Sequence, residues 1–242
     1  MLVPDDLDGA CVVMTDVIRA SSTIASALAN GAAQIIPQAE IEDSFALAKK
    51  LGDGTLVGGE RGGKIVPGFN AGNSPREYTS EKVGGKTVVL CTSNGTWALE
   101  FCRGADRILS GAMINLAATA QVCQQHEKVT IVCAGTDRCI TGEDVLFAGG
   151  IVASLQQANG DLEMSDQAQI ALAHWQRVEL QLADANNKLT RFDFFKNYRG
   201  GIPLINYGYE KDVEYCSQLN TVPVAAELNQ QEWTINLVEK IG

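Results

Sequence analysis

The chain is 242 residues long, 45% hydrophobic and 20% charged, the balance of a globular protein with a substantial core rather than of a disordered one. Nineteen Lys and Arg face 29 Asp and Glu, and the formal net charge of -10 argues against nucleic acid or an anionic membrane as the main partner. No apolar run nears the roughly 18 residues that cross a bilayer, and no basic-then-apolar leader opens the chain, so a cytoplasmic location is expected.

Short β-rich runs alternate with helix-length segments. Residues 10–16 read as a buried strand and 22–30 as a helix stopped by Gly31. A strand at 34–37, an amphipathic helix at 41–51 ending before Gly52, and a strand at 55–57 follow. Residues 58–75 are rich in glycine, with Pro67 and Pro75, and read as a long functional loop, neither helix nor central strand. Alternation resumes with strands at 86–92, 107–109 and 128–133 and helices at 96–102, 114–125 and 143–156. Beyond Gly160 the chain is polar and helical, with an amphipathic helix at 167–182 and returning strands at 221–226 and 233–236. Repeated β-α units predict the α/β class, a three-layer α/β/α fold with a mainly parallel sheet, mixed pairing allowed. Residues 1–242 are expected to form a single domain, the part from about 160 packing on the core as an intimate second half.

In parallel α/β sheets, ligands bind beyond the carboxyl ends of strands, so four polar strand ends are expected along one edge. The first runs from Asp16 through Val17, Ile18 and Arg19 to Ser21, Ser22 and Thr23, where hydroxyls and the first turn of a helix offer an anion site. Capping alone would also account for those hydroxyls. In the second, Glu60 is a candidate metal ligand and Arg61 a fork for a phosphoryl or sulfonate group, with Asn73 and Ser74 further along the loop. The third is Ser93-Asn94-Gly95-Thr96, whose side chains can donate to an anionic oxygen while Gly95 permits a positive φ. The fourth leads from Ala134-Gly135 to Glu143 and Asp144, carboxylates suited either to a helix start or to Mg²⁺.

Other motifs fail. Residues 58–64 resemble a P-loop, but Ile65 replaces the Ser/Thr that holds magnesium, and Pro67 forbids the following helix. The Cys133–Arg138 spacing is one residue short of a cysteine-dependent phosphatase, and Asp16 lacks the second carboxylate of haloacid-dehalogenase-type enzymes. The seven cysteines include no C-x-x-C pair, and with two distant histidines they leave little for a zinc site. They are expected as reduced thiols, with Cys11, Cys91 and Cys133 buried in strands. His126 and His174 fall in amphipathic helices and are expected to be surface or satisfied side chains.

Taken in order, residues 16–23, Gly59-Glu60-Arg61, Gly68-Phe69, residues 72–75 and 93–96, Gly111 with Asn115, Cys133-Ala134-Gly135, Glu143-Asp144 and, more loosely, Gly208, Asp212 and Cys216 make the chain resemble the 2-phosphosulfolactate phosphatase family over nearly its whole length. The resemblance implies an α/β fold and Mg²⁺-dependent hydrolysis of (2R)-2-phospho-3-sulfolactate to (R)-3-sulfolactate and phosphate. The resulting expectation has Asp16, Glu60, Glu143 and Asp144 supplying metal ligands, and Asp16, Arg19, Arg61 and Asn94 acting in catalysis. Ser21, Ser22, Thr23, Asn73, Ser74, Ser93, Gly95 and Thr96 would surround the phosphate. A small organophosphate is the expected partner, with no nucleic acid and no membrane, and a homo-oligomer is left open. The alternatives are a phosphatase of another small phospho-acid and a non-catalytic anion-binding protein.

Overall fold

The computed structural model describes residues 7–238. Its first half contains strands β1 (Cys11–Thr15), β2 (Gln34–Gln38), β3 (Thr55–Arg61), β4 (Lys64–Ile65) and β5 (Thr87–Cys91), with helices α1 (Ala20–Ala29), α2 (Ile41–Leu51), α3 (Ser80–Val83) and α4 (Gly95–Phe101). Strands β6 (Arg107–Gly111) and β7 (Val129–Cys133) follow, with α5 (Leu116–Cys123), α6 (Gly142–Asn159) and α7 (Asp166–Ala183). Three short helices come next, α8 (Arg191–Phe195), α9 (Gly201–Asn206) and α10 (Glu210–Cys216), and then the hairpin β8 (Ala226–Asn229) and β9 (Thr234–Leu237).

The strands form one sheet in the order β4-β3-β5-β2-β9-β8-β6-β1-β7. Parallel pairing joins β3, β5 and β2 into one trio and β6, β1 and β7 into another. The hairpin sits between the trios, β9 antiparallel to β2 and β8 antiparallel to β6. Three successive reversals make the two trios run in opposite directions, so the sheet is mixed. The expectation that all four polar strand ends share one edge of a parallel sheet is therefore corrected. A flat sheet would hold the ends of β1 and β5 at opposite edges. The two ends nevertheless meet: a Cβ on Gly95, just after β5, would stand 3.0 Å from Asp16, just after β1. Side chains of both trios accordingly enter a single core cluster, Met14 with Val88 and Leu90 among them.

Alternation along the strands builds the three layers. Val12 and Met14 of β1 face Ile24, Leu28 and Leu99 of α1 and α4. Cys11 and Val13 face the opposite side, where Leu116 and Ala120 of α5 and Leu146, Phe147 and Ile151 of α6 cover the second trio. The same side of the first trio is closed by Ile41 and Ala48 of α2 against Val57 and Cys91. Helix α1 is buried almost all round because its alanines and serines are small enough to pass between neighbours. Val178 of α7, Phe195, Leu204 and Val213 join the core of the second trio, which fastens the segment beyond Gly160 to the sheet.

Two sequence boundaries move. Residues 58–61 are the end of β3 rather than loop, and 64–65 turn back on them as β4. Residues 221–225 are irregular, and the returning strand starts at Ala226. Cys133 is exposed because β7 is the edge strand, whereas Cys11 and Cys91 are buried as expected.

Gly59 is what allows β3 to pass so close to β5. Its φ is 137°, and a Cβ would lie 1.9 Å from the Cys91 carbonyl oxygen. Gly59→Ala therefore overlaps backbone that cannot give way. We expect a loss of about 3 kcal/mol of stability, read as a lower urea midpoint with unchanged slope.

Candidate active site

The four polar strand ends come together around Asp16. The chain turns from β1 into α1 through Asp16–Arg19, and the Ile18–Arg19 peptide bond is cis. Asp16 is 7% exposed. Its backbone N–H donates to the Ser21 hydroxyl at 3.0 Å, and its Oδ1 accepts from the Ala20 N–H at 3.3 Å. Its other oxygen lies against Gly95 at the start of α4, where a Cβ would stand 3.0 Å away. Gly95 thus serves close approach; among the described residues it is not one of the glycines with positive φ, contrary to expectation.

Asp144, in the first turn of α6, is the organiser of the fourth strand end. Its Oδ1 accepts the Val17 N–H at 2.9 Å, and its Oδ2 accepts the Gly135 N–H and the Thr141 hydroxyl, each at 2.9 Å. The ends of β1 and β7 and the start of α6 are thereby tied to one carboxylate. Glu143 beside it is 2% exposed, and its Oε2 has no hydrogen-bond partner.

Burial and mutual repulsion govern these groups. Asp16 is pushed up to about 8, first by desolvation, then by Asp144 and Glu60, while the Ala20 N–H and Arg19 pull it down. Glu143 is likewise pushed up to about 8 by desolvation, then by Asp144 and Asp16. Asp144 is raised by desolvation against the pull of its three donors.

Glu60 and Arg61 are consecutive on β3 and face opposite sides. Glu60 braces two turns, accepting the Ser93 N–H at 2.8 Å, the Gly63 N–H at 2.7 Å and the Ser93 hydroxyl at 3.2 Å. Arg61 points away from the carboxylates and donates to the carbonyls of Glu60 and Ala39 and to Cys91 Sγ. The expectation that Arg61 grips the phosphoryl group is corrected on that ground. The hydroxyls of the Ser/Thr run are also spent inside the protein, Ser22 on the Val17 carbonyl at 2.8 Å and Thr23 on the Asn73 carbonyl at 2.9 Å. Their role is to hold the Asp16–Arg19 turn and the 72–75 loop. Thr96 pairs with Thr92, and Ser74 donates to Asp212 at 2.7 Å. Asn73 keeps a buried, unpartnered Oδ1, and Asn94 caps α4 without a side-chain bond to the helix.

Arg19 is 4% exposed and bonds Asp212 Oδ2 at 2.9 Å and the Gly63 carbonyl at 2.8 Å, with its guanidinium 4.6 Å from the Tyr209 ring centre. Sequence reasoning gave Asp212 and Tyr209 no role, since no local pattern marks a partner nearly 200 residues away. His174 shares a 3.0 Å hydrogen bond with the Tyr198 hydroxyl, a satisfied histidine as expected.

Among the described residues, no group of three or more His, Cys, Asp or Glu side chains is arranged to hold a metal by itself. Mg²⁺ asks for less, one or two carboxylates completed by waters and phosphate oxygens. The unpartnered Glu143 Oε2 and the like-charge crowding around Asp16 are what such a cation would relieve, so the residues present fit it.

The fold and site define a mixed-sheet α/β protein whose carboxylates gather at strand ends beside one buried arginine. A sequence model of the family described as 2-phosphosulpholactate phosphatase matches residues 2–231. A relative in Carboxydothermus hydrogenoformans, named Probable 2-phosphosulfolactate phosphatase, is 38% identical over 236 residues, 96% of this chain and 93% of its own. Relatives of the same name in Thermotoga maritima and in Clostridium perfringens strain SM101 are 39% identical over 214 residues and 34% over 230, covering 87% and 93% of this chain and 87% and 89% of their own. The chain belongs to the 2-phosphosulfolactate phosphatase family. No helix among the described residues is long and apolar enough to cross a membrane.

Asp16 and Glu143 hold protons in the folded protein at pH values where the unfolded chain has lost them. Between about pH 4, where free carboxyls titrate, and about 8, where these do, the folded state binds more protons. Their contribution therefore lowers stability as pH rises through that window. The melting temperature of the metal-free protein should fall from pH 5 to 8, and Asp16→Asn should flatten the slope.

Proposed function

We propose that this protein is a phosphoric monoester hydrolase that uses Mg²⁺ to cleave (2R)-2-phospho-3-sulfolactate into (R)-3-sulfolactate and phosphate. The observation that carries the reading is the charge of the site. Asp16, Glu143 and Asp144 crowd together, with Arg19 as the cation that bears on Asp16, in a protein whose net charge is -10. Ionised together, these carboxylates would repel a multiply charged anion, and a cation that takes the place of their protons removes that repulsion. Membership of the family supplies the substrate class.

In this reading Asp16 and Glu143 are the ligands for Mg²⁺, because each has an oxygen not committed to the protein, while Asp144 and Glu60 are taken up by three donors each. Bound there, the ion would neutralise phosphoryl oxygens and bring water to phosphorus. Asp144 keeps the Val17 N–H and the α6 start fixed, so that Asp16 and Glu143 stay aligned. Arg19 and Asn94 meet the anionic oxygens, and Glu60 holds the Ser93 turn that presents Asn94. Phosphoryl transfer asks mainly for positioning and charge compensation, which a rigid polar shell of this kind supplies.

Incubation with 2-phosphosulfolactate and Mg²⁺ should release phosphate, and EDTA should stop it reversibly. Asp16→Asn should lower kcat by about a thousandfold or more, the scale of removing a group central to the chemistry. Turnover that survives complete metal removal would sink the metal-centred reading. Phosphate binding without turnover of any phosphorylated hydroxy acid would leave an anion-binding protein instead.

A further inference from the structure

The C-terminal helices reach back to the site through one side chain. Asp212 of α10 is 2% exposed, and its side chain stands among three partners. Its Oδ2 takes Arg19 at 2.9 Å, its Oδ1 takes the Ser74 hydroxyl at 2.7 Å, and Arg76, half exposed, stands 3.8 Å from the same oxygen. Tyr209, three residues earlier, lies with its ring 4.6 Å from the Arg19 guanidinium.

Arg19 is consequently fixed from three directions: by Asp212, by the face of Tyr209, and by the Gly63 carbonyl. The third support is itself braced, because the Gly63 N–H is held by Glu60 Oε2 at 2.7 Å. Only two of the five N–H groups of the guanidinium are spent on protein acceptors among the described residues. A buried arginine with donors to spare, three residues after Asp16, is suited to an anion whose shape demands a fixed fork.

We propose that Asp212 is a positioning residue, which acts on substrate binding by holding the Arg19 guanidinium toward the anion beside Asp16. The inference rests on the phosphatase reading of the site for its substrate, but not for its test. Asp212 need not touch the substrate. Its charge keeps a desolvated guanidinium paired and oriented, as outer groups orient the ligands of a metal site. An alternative in which Asp212 only anchors the C-terminal helices predicts lost stability without altered binding by the folded protein.

The test is a double-mutant cycle on the full chain with Arg19→Gln, Asp212→Asn and the double variant. Inorganic phosphate affinity in Mg²⁺ is measured by calorimetry, KM and kcat for 2-phosphosulfolactate in parallel, and folding by thermal melts. Asp212→Asn should weaken phosphate binding and raise KM by about 10- to 100-fold, the range for groups that act through a neighbour. In the Arg19→Gln background the same change should have almost no further effect. Asp212→Glu, which retains the charge, should recover part of the affinity. Wild-type affinity and KM in folded Asp212→Asn, or an equal loss in both backgrounds, would overturn the proposal. If wild type binds phosphate with this coupling yet turns nothing over, the positioning role stands and the phosphatase reading fails. Absence of both binding and turnover in wild type removes both.

Discussion

One buried carboxylate, Asp144, decides how the site is assembled. Burying a charged group costs several kcal/mol unless donors compensate it, and three donors converge on Asp144 from three separate segments. That requirement fixes the Val17 N–H at the end of β1, the Gly135 N–H after β7 and the Thr141 hydroxyl before α6 in mutual register. Asp16 and Glu143 flank two of the groups so fixed, and inherit their positions from this arrangement. The burial that raises their affinity for protons, and the crowding that adds to it, follow from the same geometry. The site's chemistry and its assembly therefore share a single electrostatic cause.

Glu60 plays the corresponding part on the other trio. It gathers the Gly63 turn and the Ser93 turn, and the first of these supports Arg19. The two organising carboxylates differ from Asp16 and Glu143 in one respect: their oxygens are occupied. In the proposed reading, the carboxylates with free oxygens would take the cation, while the occupied ones fix the dipoles and the arginine around it.

The sequence made the main elements legible because their signals are local. Strand β1 is a continuous apolar run, and α2 is amphipathic between its acidic first turn and Gly52. The carboxylates were legible too, since Asp16, Glu60, Glu143 and Asp144 stand at strand ends or helix starts. The direction of Arg61 was not, because a one-residue step on a strand reverses the face and only the full extent of β3 sets which face is which. Neither were the buried hydroxyls of Ser22 and Thr23, whose acceptors lie on the turn of β1 and on the 72–75 loop. Asp212 entered only through the family resemblance, and its pairing with Arg19 was out of reach, since the two are 193 positions apart.

The hairpin between the two trios has a bearing on how the molecule is made. Strands β2 and β6 have no partner on their inner edges until residues 226–237 arrive, and Ile35 pairs with Ile235. Contacts of such long range carry a high loop-closure cost, which slows folding. A chain emerging from the ribosome can form each parallel trio early, but it holds two open sheet edges until the hairpin is synthesised. The hairpin thus completes the sheet last, and the inner edges it covers are the part of the nascent chain most open to mispairing with another copy.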